Sequence, residues 1–255
     1  MMLIMNNESS TNSNLDNDKA KKNRSFYRRT ICFIINATYS HYLAPIKIKK
    51  AISLDNKSQI PNRYPMLMSP SEKDILKKYT SKSKKYLEFG SGGSTFYVLK
   101  NSPSAMVISV ESDAGWIEFM RKWNYICESE NNRLKIHIVD IGPTGDGGVP
   151  LQMEKKELYP DYSSSVFSQI NPEYIDTVLV DGRFRVACIL QTILHCPQDV
   201  VILVHDFKNR FYYHAILNFL DEIEFAETLV VFKIKPDINY DQVRECYEYF
   251  KYDWQ

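Results

Sequence analysis

The sequence predicts an α/β fold, a Rossmann-like and mostly parallel sheet with helices on both faces, preceded by an N-terminal extension. From Lys84 onward, short apolar runs alternate with segments whose apolar residues recur at helical spacing, which is the pattern of βαβ units. The runs are apolar throughout rather than at every second residue, as expected for parallel strands that are covered on both faces. A chain of 255 residues, 44% of them hydrophobic, is long enough to bury the core of one such domain.

Apolar runs mark the predicted strands. Continuous runs of this kind, separated by polar or helical segments, are typical of buried parallel strands. We predict five of them to form the parallel sheet and a sixth strand late in the chain. They lie at residues 86–89, 106–110, 136–139, 177–180, 200–204 and 227–235.

Apolar residues at helical spacing predict the helices between those strands. Ser69-Pro70-Ser71-Glu72 is a helix-start pattern, and Asp113 is a plausible cap for the next stripe. A last helix is predicted at 242–252. The intervening stripes are Trp116, Met120, Trp123 and Cys127; Val186, Ile189, Ile193 and Leu194; and Tyr212, Ile216, Phe219, Leu220 and Ile223.

The chain is predicted to have three parts. Residues 1–24 are rich in Asn, Ser and Lys and lack the apolar core of a signal peptide, so we expect a disordered tail. Residues 25–69 carry a weak pattern and are expected to form an extension that packs on the main domain. Residues 70–255 then hold the main domain.

Composition limits the partners and the cellular location that we expect for this chain. A net charge of +1 gives no electrostatic reason to expect a nucleic acid. The five cysteines are scattered without metal-ligand spacing, which favours reduced thiols and a cytoplasmic protein. The longest early apolar cluster, 31–37, is too short to cross a bilayer, so no membrane span is expected.

A glycine-rich turn directly after the first strand is the strongest local signal. Glycines here let the backbone approach a ligand, and the following helix offers free N–H groups. An acid precedes the turn, and a second acid ends the next strand, where it could accept ribose hydroxyls. Alternatively, the turn is only a tight connection and the second acid only a solvated strand end. The residues are Glu88-Phe-Gly90-Ser91-Gly92-Gly93-Ser94-Thr95 and Glu111.

Polar side chains also follow the fourth and fifth strands. Because carboxyl ends of parallel strands share one edge of a sheet, we expect these residues to meet there, next to the switch point. A polar side chain that directly follows a buried strand costs free energy unless it is hydrogen-bonded or binds a ligand. Alternatively, they only cap a helix and bond nearby backbone. The two groups are Asp181-Gly182-Arg183-Phe184-Arg185 and His205-Asp206.

The motif pair Tyr86-Leu-Glu-Phe-Gly-Ser-Gly-Gly-Ser-Thr and Val110-Glu-Ser-Asp resembles the first two motifs of the class I S-adenosylmethionine-dependent methyltransferases. The resemblance implies that the turn faces the methionine part of S-adenosylmethionine, that Glu111 holds the ribose, and that Asp140 lies near the adenine. It also implies two antiparallel strands after the parallel ones, for which the C-terminal part looks short. The cofactor-binding residues it implies are Glu88, Gly90, Ser91, Gly92, Gly93, Ser94, Glu111, Ser112, Asp140 and Asp181.

The pairing of Val180-Asp-Gly-Arg-Phe-Arg185 with His205-Asp-Phe207 resembles a small-molecule methyltransferase group often associated with bacterial surface sugars. In that light His205 or Asp206 is the expected general base, a neutral imidazole having an ordinary pKa of about 6.5. Arg183 and Arg185 are expected to clamp an anionic group of the acceptor. Asp181 and Asp206 are alternatively ligands of a divalent metal, as in catechol-type O-methyltransferases, although a third oxygen ligand is not evident and the metal is not favoured.

We therefore expect O-methylation of a small molecule or a surface-polysaccharide sugar. Two alternatives remain at this stage, an NAD(P)-dependent oxidoreductase and a non-catalytic nucleotide-binding domain. The turn lacks the third glycine of the dinucleotide motif at its usual offset, and no Gly-Lys-Ser or Gly-Lys-Thr follows it. The long connection at 145–167 is expected to be a substrate lid or a surface insertion.

Overall fold

A computed structural model of the chain describes residues 66–255. The predicted tail at 1–24 and nearly all of the predicted extension, 25–65, lie outside the described residues. Within 66–255, no helix combines the length and the apolar character needed to cross a membrane.

The described residues are organised around a seven-stranded sheet. The first five strands are parallel, and the last two are antiparallel to their neighbours. The order across the sheet is β3-β2-β1-β4-β5-β7-β6. The strands are β1 Lys85–Phe89, β2 Met106–Glu111, β3 Leu134–Ile138, β4 Thr177–Val180, β5 Val201–Val204, β6 Leu220–Ala226 and β7 Leu229–Ile234.

Seven α-helices connect or flank these strands in the described part. Crossovers from β1 to β3 run in one direction across the sheet and those from β4 to β5 run in the other, so right-handed connections place their helices on opposite faces. The predicted α/β, Rossmann-like fold is confirmed. The helices are α1 Pro70–Thr80, α2 Gly93–Asn101, α3 Ala114–Met120, α4 Asn124–Glu130, α5 Tyr159–Ser164, α6 Arg185–His195 and α7 Tyr240–Phe250.

The strand order reverses between β1 and β4, and this reversal positions the site. Phe89 near the end of β1 pairs with Val110 of β2 on one side and with Val180 of β4 on the other. All three side chains are fully buried, and charged or polar residues follow directly where β4 and β5 end. In open parallel sheets, ligands bind in the crevice outside the carboxyl ends at such a reversal.

Two predicted helices differ from the structure. The stripe from Trp116 to Cys127 forms two short helices, α3 and α4, and Asp113 caps the first of them by accepting the Trp116 N–H at 3.0 Å. The helix predicted to run through Leu220 and Ile223 is wrong. Its first part is a 3₁₀ segment, Phe211–Asn218, and the rest is strand β6.

The two antiparallel strands for which the chain looked short are therefore present. Residues 222–225 alternate charged and apolar side chains, a period of two that favours a strand over a helix. A tight turn joins β6 to β7, with Glu227 in the left-handed region at φ 49°. The alternation in β6 was the signal that could have predicted this hairpin.

The long connection between β3 and β4 is partly core. Its second half contains α5, whose Tyr159 and Tyr162 are buried and pack on Phe184 at ring-centre distances of 5.4 Å. This half therefore anchors the connection. The first half, around Gly145–Gly148, closes on itself through the Gly145 N–H, which donates to the Val149 carbonyl at 2.8 Å.

Candidate active site

The glycine-rich turn connects β1 to α2, and its first glycine is required by packing inside the protein. Gly90 has φ 100°, a conformation that favours glycine. A Cβ at Gly90 would lie 2.6 Å from Gly182 Cα, so the turns after β1 and β4 are in direct backbone contact. This close approach joins the two halves of the sheet at the switch point.

Gly92, in contrast, borders open space. A Cβ built there would meet nothing within 4 Å. The helix that follows, α2, begins at Gly93, and the first turn of any helix presents N–H groups without intrahelical partners. Ser94 and Thr95 lie in this turn, and Ser91 precedes it. Room beside Gly92 and a helix N-terminus together suit a ligand that comes close to the backbone.

Glu88 lies behind the turn rather than in the crevice. The side chain is fully buried, and its carboxyl group accepts hydrogen bonds from the hydroxyls of Thr95, Ser109 (2.7 Å) and Tyr86 (3.0 Å). Burial raises the pKa of Glu88 to about 7, although these hydroxyls lower it. Direct contact with the cofactor, as expected from the sequence, does not match this geometry; Glu88 instead fixes the start of α2 against β1 and β2.

Glu111, at the end of β2, is held in place beside the turn. Its Oε1 accepts the N–H groups of Ser112 at 2.7 Å and Asp113 at 3.0 Å, and its Oε2 accepts the Ser91 N–H at 3.1 Å. Burial raises the pKa of Glu111, and the backbone N–H groups oppose this effect. The Ser112 hydroxyl also donates to Oε1, at 3.5 Å, whereas Oε2 accepts only the Ser91 N–H within the described residues, so the acceptor position left for a ligand hydroxyl is on Oε2.

Asp140 follows β3 and is exposed, and its Oδ1 accepts the Gly142 N–H at 2.8 Å. The structure therefore places it at the same carboxyl edge as Glu111, one strand further out. Its local hydrogen bond shapes the start of the long connection.

His205, directly after β5, lies between two carboxylates. Its Nδ1 is 2.8 Å from Asp181 Oδ1, and its Nε2 is 3.6 Å from Glu72 Oε1. Burial alone lowers the pKa of His205, but the charges and hydrogen bonds of these acids outweigh burial and raise it to about 10. This raised pKa and the hydrogen bond of Nδ1 to Asp181 favour an imidazolium at neutral pH, so the geometry does not support the neutral imidazole expected from the sequence.

Glu72 is a site residue that the sequence analysis treated only as part of a helix start. It does complete the capping box of α1 by accepting the Ser69 N–H at 2.8 Å. Its other oxygen accepts the Thr228 N–H and hydroxyl from the β6–β7 turn. Burial opposes ionisation, but His205 and these donors hold the pKa of Glu72 well below its usual range. No local spacing links residue 72 to residues 205 and 228, so only the fold could show this.

Arg185 is buried and structural. Its guanidinium donates to the carbonyls of Gly182 (2.9 Å), Asp181 (3.1 Å) and His205, and it pairs with Asp206 at 3.4 Å. With only 4% of its side chain exposed, it cannot clamp an acceptor as expected. Arg185 instead ties together the chain segments that follow β4 and β5.

The two oxygens of the Asp206 carboxylate have different partners. Its Oδ2 accepts from Arg210 at 2.9 Å, a partner that the sequence analysis missed, and from Arg185 at 3.4 Å. Its Oδ1 lies 3.9 Å from His205 Nδ1. Asp206 has φ 58°, and Phe184 has φ 53°, so two bulky or charged residues at this edge adopt the left-handed conformation. Such conformations concentrate at functional sites.

The expected alternative of a divalent metal does not fit these donors. The Asp181 carboxylate pairs with His205 and Arg185, and the Asp206 carboxylate pairs with Arg185 and Arg210. A cation bound between them would have to displace positive side chains already in place. Within residues 66–255, no cluster of three His, Cys, Asp or Glu side chains has metal-binding geometry.

The fold of this chain is similar to that of solved methyltransferase structures. No protein-family model matches the chain, and the comparison with curated proteins gives no match. A crystal structure of a methyltransferase-like protein from Silicibacter pomeroyi is 30% identical, with a TM-score of 0.64, and the match covers 77% of this chain and 100% of that one. An SAH-bound methyltransferase from Podospora anserina is 14% identical, with a TM-score of 0.50 and coverage of 92% and 100%, and shares the fold.

The order of the strands, the antiparallel hairpin at the sheet edge and the acid beside the glycine-rich turn agree with the motifs that the sequence carries. The relative that is 30% identical matches over its entire length. This chain therefore belongs to the class I S-adenosylmethionine-dependent methyltransferases.

Proposed function

We propose that this protein transfers a methyl group from S-adenosylmethionine to an oxygen atom of a small molecule, with a surface-polysaccharide sugar as the favoured acceptor class. The observation that carries the proposal is the pairing of Gly92 and Glu111. Gly92 borders open space at the start of α2, and the Glu111 carboxylate is fixed beside it by the Ser91 N–H. The fold family and the SAH-bound neighbour of the same fold support the choice of cofactor.

The cofactor would lie across the ends of β1 and β2. Gly92, Gly93 and Ser94 would face its methionine part, and the remaining acceptor position of Glu111 would take a ribose hydroxyl. When bound, the sulfonium group supplies an electrophilic methyl carbon. Ser112, adjacent to Glu111, and Asp140 on the next strand would border the nucleoside.

The chain's own contribution to the chemistry is orientation and removal of a proton. Because His205 is already protonated, we assign the proton acceptor to Asp206, whose Oδ1 has no hydrogen bond within the described residues. The hydroxyl oxygen of the acceptor forms the new bond to carbon, the carbon–sulfur bond breaks, and the hydroxyl proton goes to Asp206 Oδ1. Asp181 holds His205, whose charge stabilises the carboxylate.

Calorimetric titration tests the choice of cofactor. We expect S-adenosylhomocysteine to bind and NAD not to bind. Glu111→Gln should weaken binding about tenfold or more, because a ribose hydroxyl loses a charged acceptor worth about 1.5–3 kcal/mol. Glu118→Gln removes an exposed carboxylate that pairs with Arg121 and should leave the affinity unchanged.

If the protein binds NAD and neither methyl-donor ligand, the alternative of an NAD(P)-dependent oxidoreductase replaces this proposal. If Glu111→Gln binds S-adenosylhomocysteine as tightly as the unaltered protein does, the ribose site is misplaced.

A further inference from the structure

At the carboxyl edge of β4 and β5, charged side chains in the described part of the chain form a set of ion pairs, and one arginine beside them does not take part. Three carboxylates and three cationic side chains form a connected set of ion pairs, in which every member has an oppositely charged partner within 4 Å. Arg183 lies next to this set and is not part of it. The connected residues are Glu72, Asp181, Asp206, His205, Arg185 and Arg210.

Arg183 is half-buried, and within the described residues its side chain forms a hydrogen bond to a backbone carbonyl. Its Nε donates to the Gly147 carbonyl at 2.7 Å. Among the side chains that the structure describes, no carboxylate oxygen lies within 4 Å of its guanidinium. Burial lowers the pKa of Arg183, and the charges of Arg185 and Arg210 lower it further. A partly buried guanidinium that lies near other positive charges and lacks a carboxylate partner is stabilised when it binds an anion.

The position of Arg183 relates it to the cofactor crevice. Arg183 Cγ lies 3.7 Å from where a Cβ of Gly148 would stand. That same point is 3.5 Å from Ser112 Oγ and 4.0 Å from Glu111 Oε1. The side chain therefore reaches from the end of β4 toward the end of β2, across the strand β1 that lies between them. Its guanidinium contacts the Gly145–Gly148 segment, which lies beside Glu111 and Ser112.

We propose that Arg183 binds a carboxylate or phosphate group of a ligand in this crevice. The guanidinium retains N–H groups beyond the one donated to Gly147, in the planar arrangement that suits two oxygens of one anion. This inference rests on the proposed function only for the identity of the ligand. The anion belongs either to the methionine part of the cofactor or to an acidic acceptor.

Inorganic phosphate is the probe for the anion site itself. At matched ionic strength, we expect phosphate to raise the Tm of the protein above its value in chloride and to saturate. Arg183→Gln should abolish this rise, and Arg183→Lys should retain part of it. Arg244→Gln removes an exposed guanidinium on α7 that pairs with Asp241 and should respond to phosphate as the unaltered protein does.

Two further titrations distinguish the sources of the anion. If Arg183 binds the cofactor carboxylate, Arg183→Gln weakens S-adenosylhomocysteine about tenfold or more and leaves 5′-methylthioadenosine, which lacks the amino-acid part, unchanged. Saturating S-adenosylhomocysteine then displaces phosphate. If Arg183 binds the acceptor, S-adenosylhomocysteine affinity is the same in both proteins and phosphate still stabilises the saturated complex.

Equal phosphate stabilisation and equal affinity for S-adenosylhomocysteine in the unaltered protein and Arg183→Gln would overturn the assignment. Arg183→Lys provides the same comparison if the glutamine variant fails to fold. A protein that binds phosphate through Arg183 but does not bind S-adenosylhomocysteine would support this inference and contradict the proposed function.

Discussion

At the scale of single residues, the chemistry of the site depends on which side chains hold protons at neutral pH. His205 is 7% exposed and contacts two carboxylates, so its positive charge is compensated inside the protein. One oxygen of the Asp206 carboxylate has no hydrogen bond within the described residues and lies 3.9 Å from His205 Nδ1. Under the proposed function, we therefore expect the proton of the acceptor to go to Asp206 rather than to His205.

Asp206→Asn tests this assignment. Once a hydroxyl acceptor has been identified by screening with labelled S-adenosylmethionine, we expect the variant to lower turnover by about 10²–10⁴-fold and to bind S-adenosylhomocysteine normally. Asparagine tolerates the left-handed backbone of residue 206, so the fold should persist. Asp241→Asn, at an exposed carboxylate on α7, is the control. Unchanged turnover in Asp206→Asn would remove Asp206 from the mechanism.

The charge on His205 predicts how stability depends on pH. The imidazole binds its proton more tightly in the folded protein, where its pKa is about 10, than in the unfolded chain, where it is near 6.5. Its stabilisation is complete below pH 6.5 and is lost as pH rises through 10. We expect the free energy of unfolding to fall by about 2 kcal/mol or more across this range.

Urea unfolding at intervals from pH 6 to 10 measures this fall. His205→Gln should lack it, whereas His137→Gln, which removes a histidine bound to Ser165, should retain it. The same dependence on pH in His205→Gln would show that other groups cause it. On the acid side, the lowered pKa values of Glu72 and Asp181 predict that stability is lost as pH falls below the ordinary range of carboxyl groups.

At the scale of elements, two glycines of one turn have different physical roles. Gly90 is needed for a left-handed backbone and for contact with Gly182, while Gly92 has an extended backbone at φ 167° and no neighbour within 4 Å of a Cβ. The turn therefore joins the two halves of the sheet at one residue and leaves room for a ligand two residues later.

Alanine substitution separates these roles. Gly90→Ala should lower the free energy of unfolding by about 3 kcal/mol or more, from backbone strain plus a 2.6 Å contact with backbone. Gly92→Ala should cost less than about 1 kcal/mol and weaken S-adenosylhomocysteine binding, because the added methyl group would enter the open space. Denaturant unfolding and calorimetry measure the two effects. A Gly92→Ala protein with full affinity would show that the ligand does not approach this turn.

The elements also show which predictions could be made from sequence. Strands β1, β2, β4 and β5 were predicted within about a residue at each end, because continuous apolar runs report burial on both faces directly. The β6 strand was predicted as helix, since Ile216, Phe219, Leu220 and Ile223 also fit helical spacing. The alternation of charged and apolar residues in the same segment instead predicts a strand, and in the structure this segment pairs with β7.

At the scale of the whole molecule, the sheet brings together residues that are far apart in sequence. Because parallel strands share the direction of their ends, the sequence predicts that polar residues after β4 and β5 meet at one edge, and the structure brings them together there: Asp181, Arg183, Arg185, His205 and Asp206. Sequence reasoning could not predict the contacts of Glu72 with His205 and the β6–β7 turn, or that of Arg183 with Gly147, because these depend on how helices and loops pack on the sheet. Protonation states depend on the same contacts.

The proposed cofactor lies across the ends of β1 and β2. Hydrogen–deuterium exchange with and without S-adenosylhomocysteine measures this directly. We expect slower amide exchange at Ser91–Thr95 and at Glu111–Asp113, with little change in helix α7. Protection elsewhere, with these two segments unchanged, would contradict it.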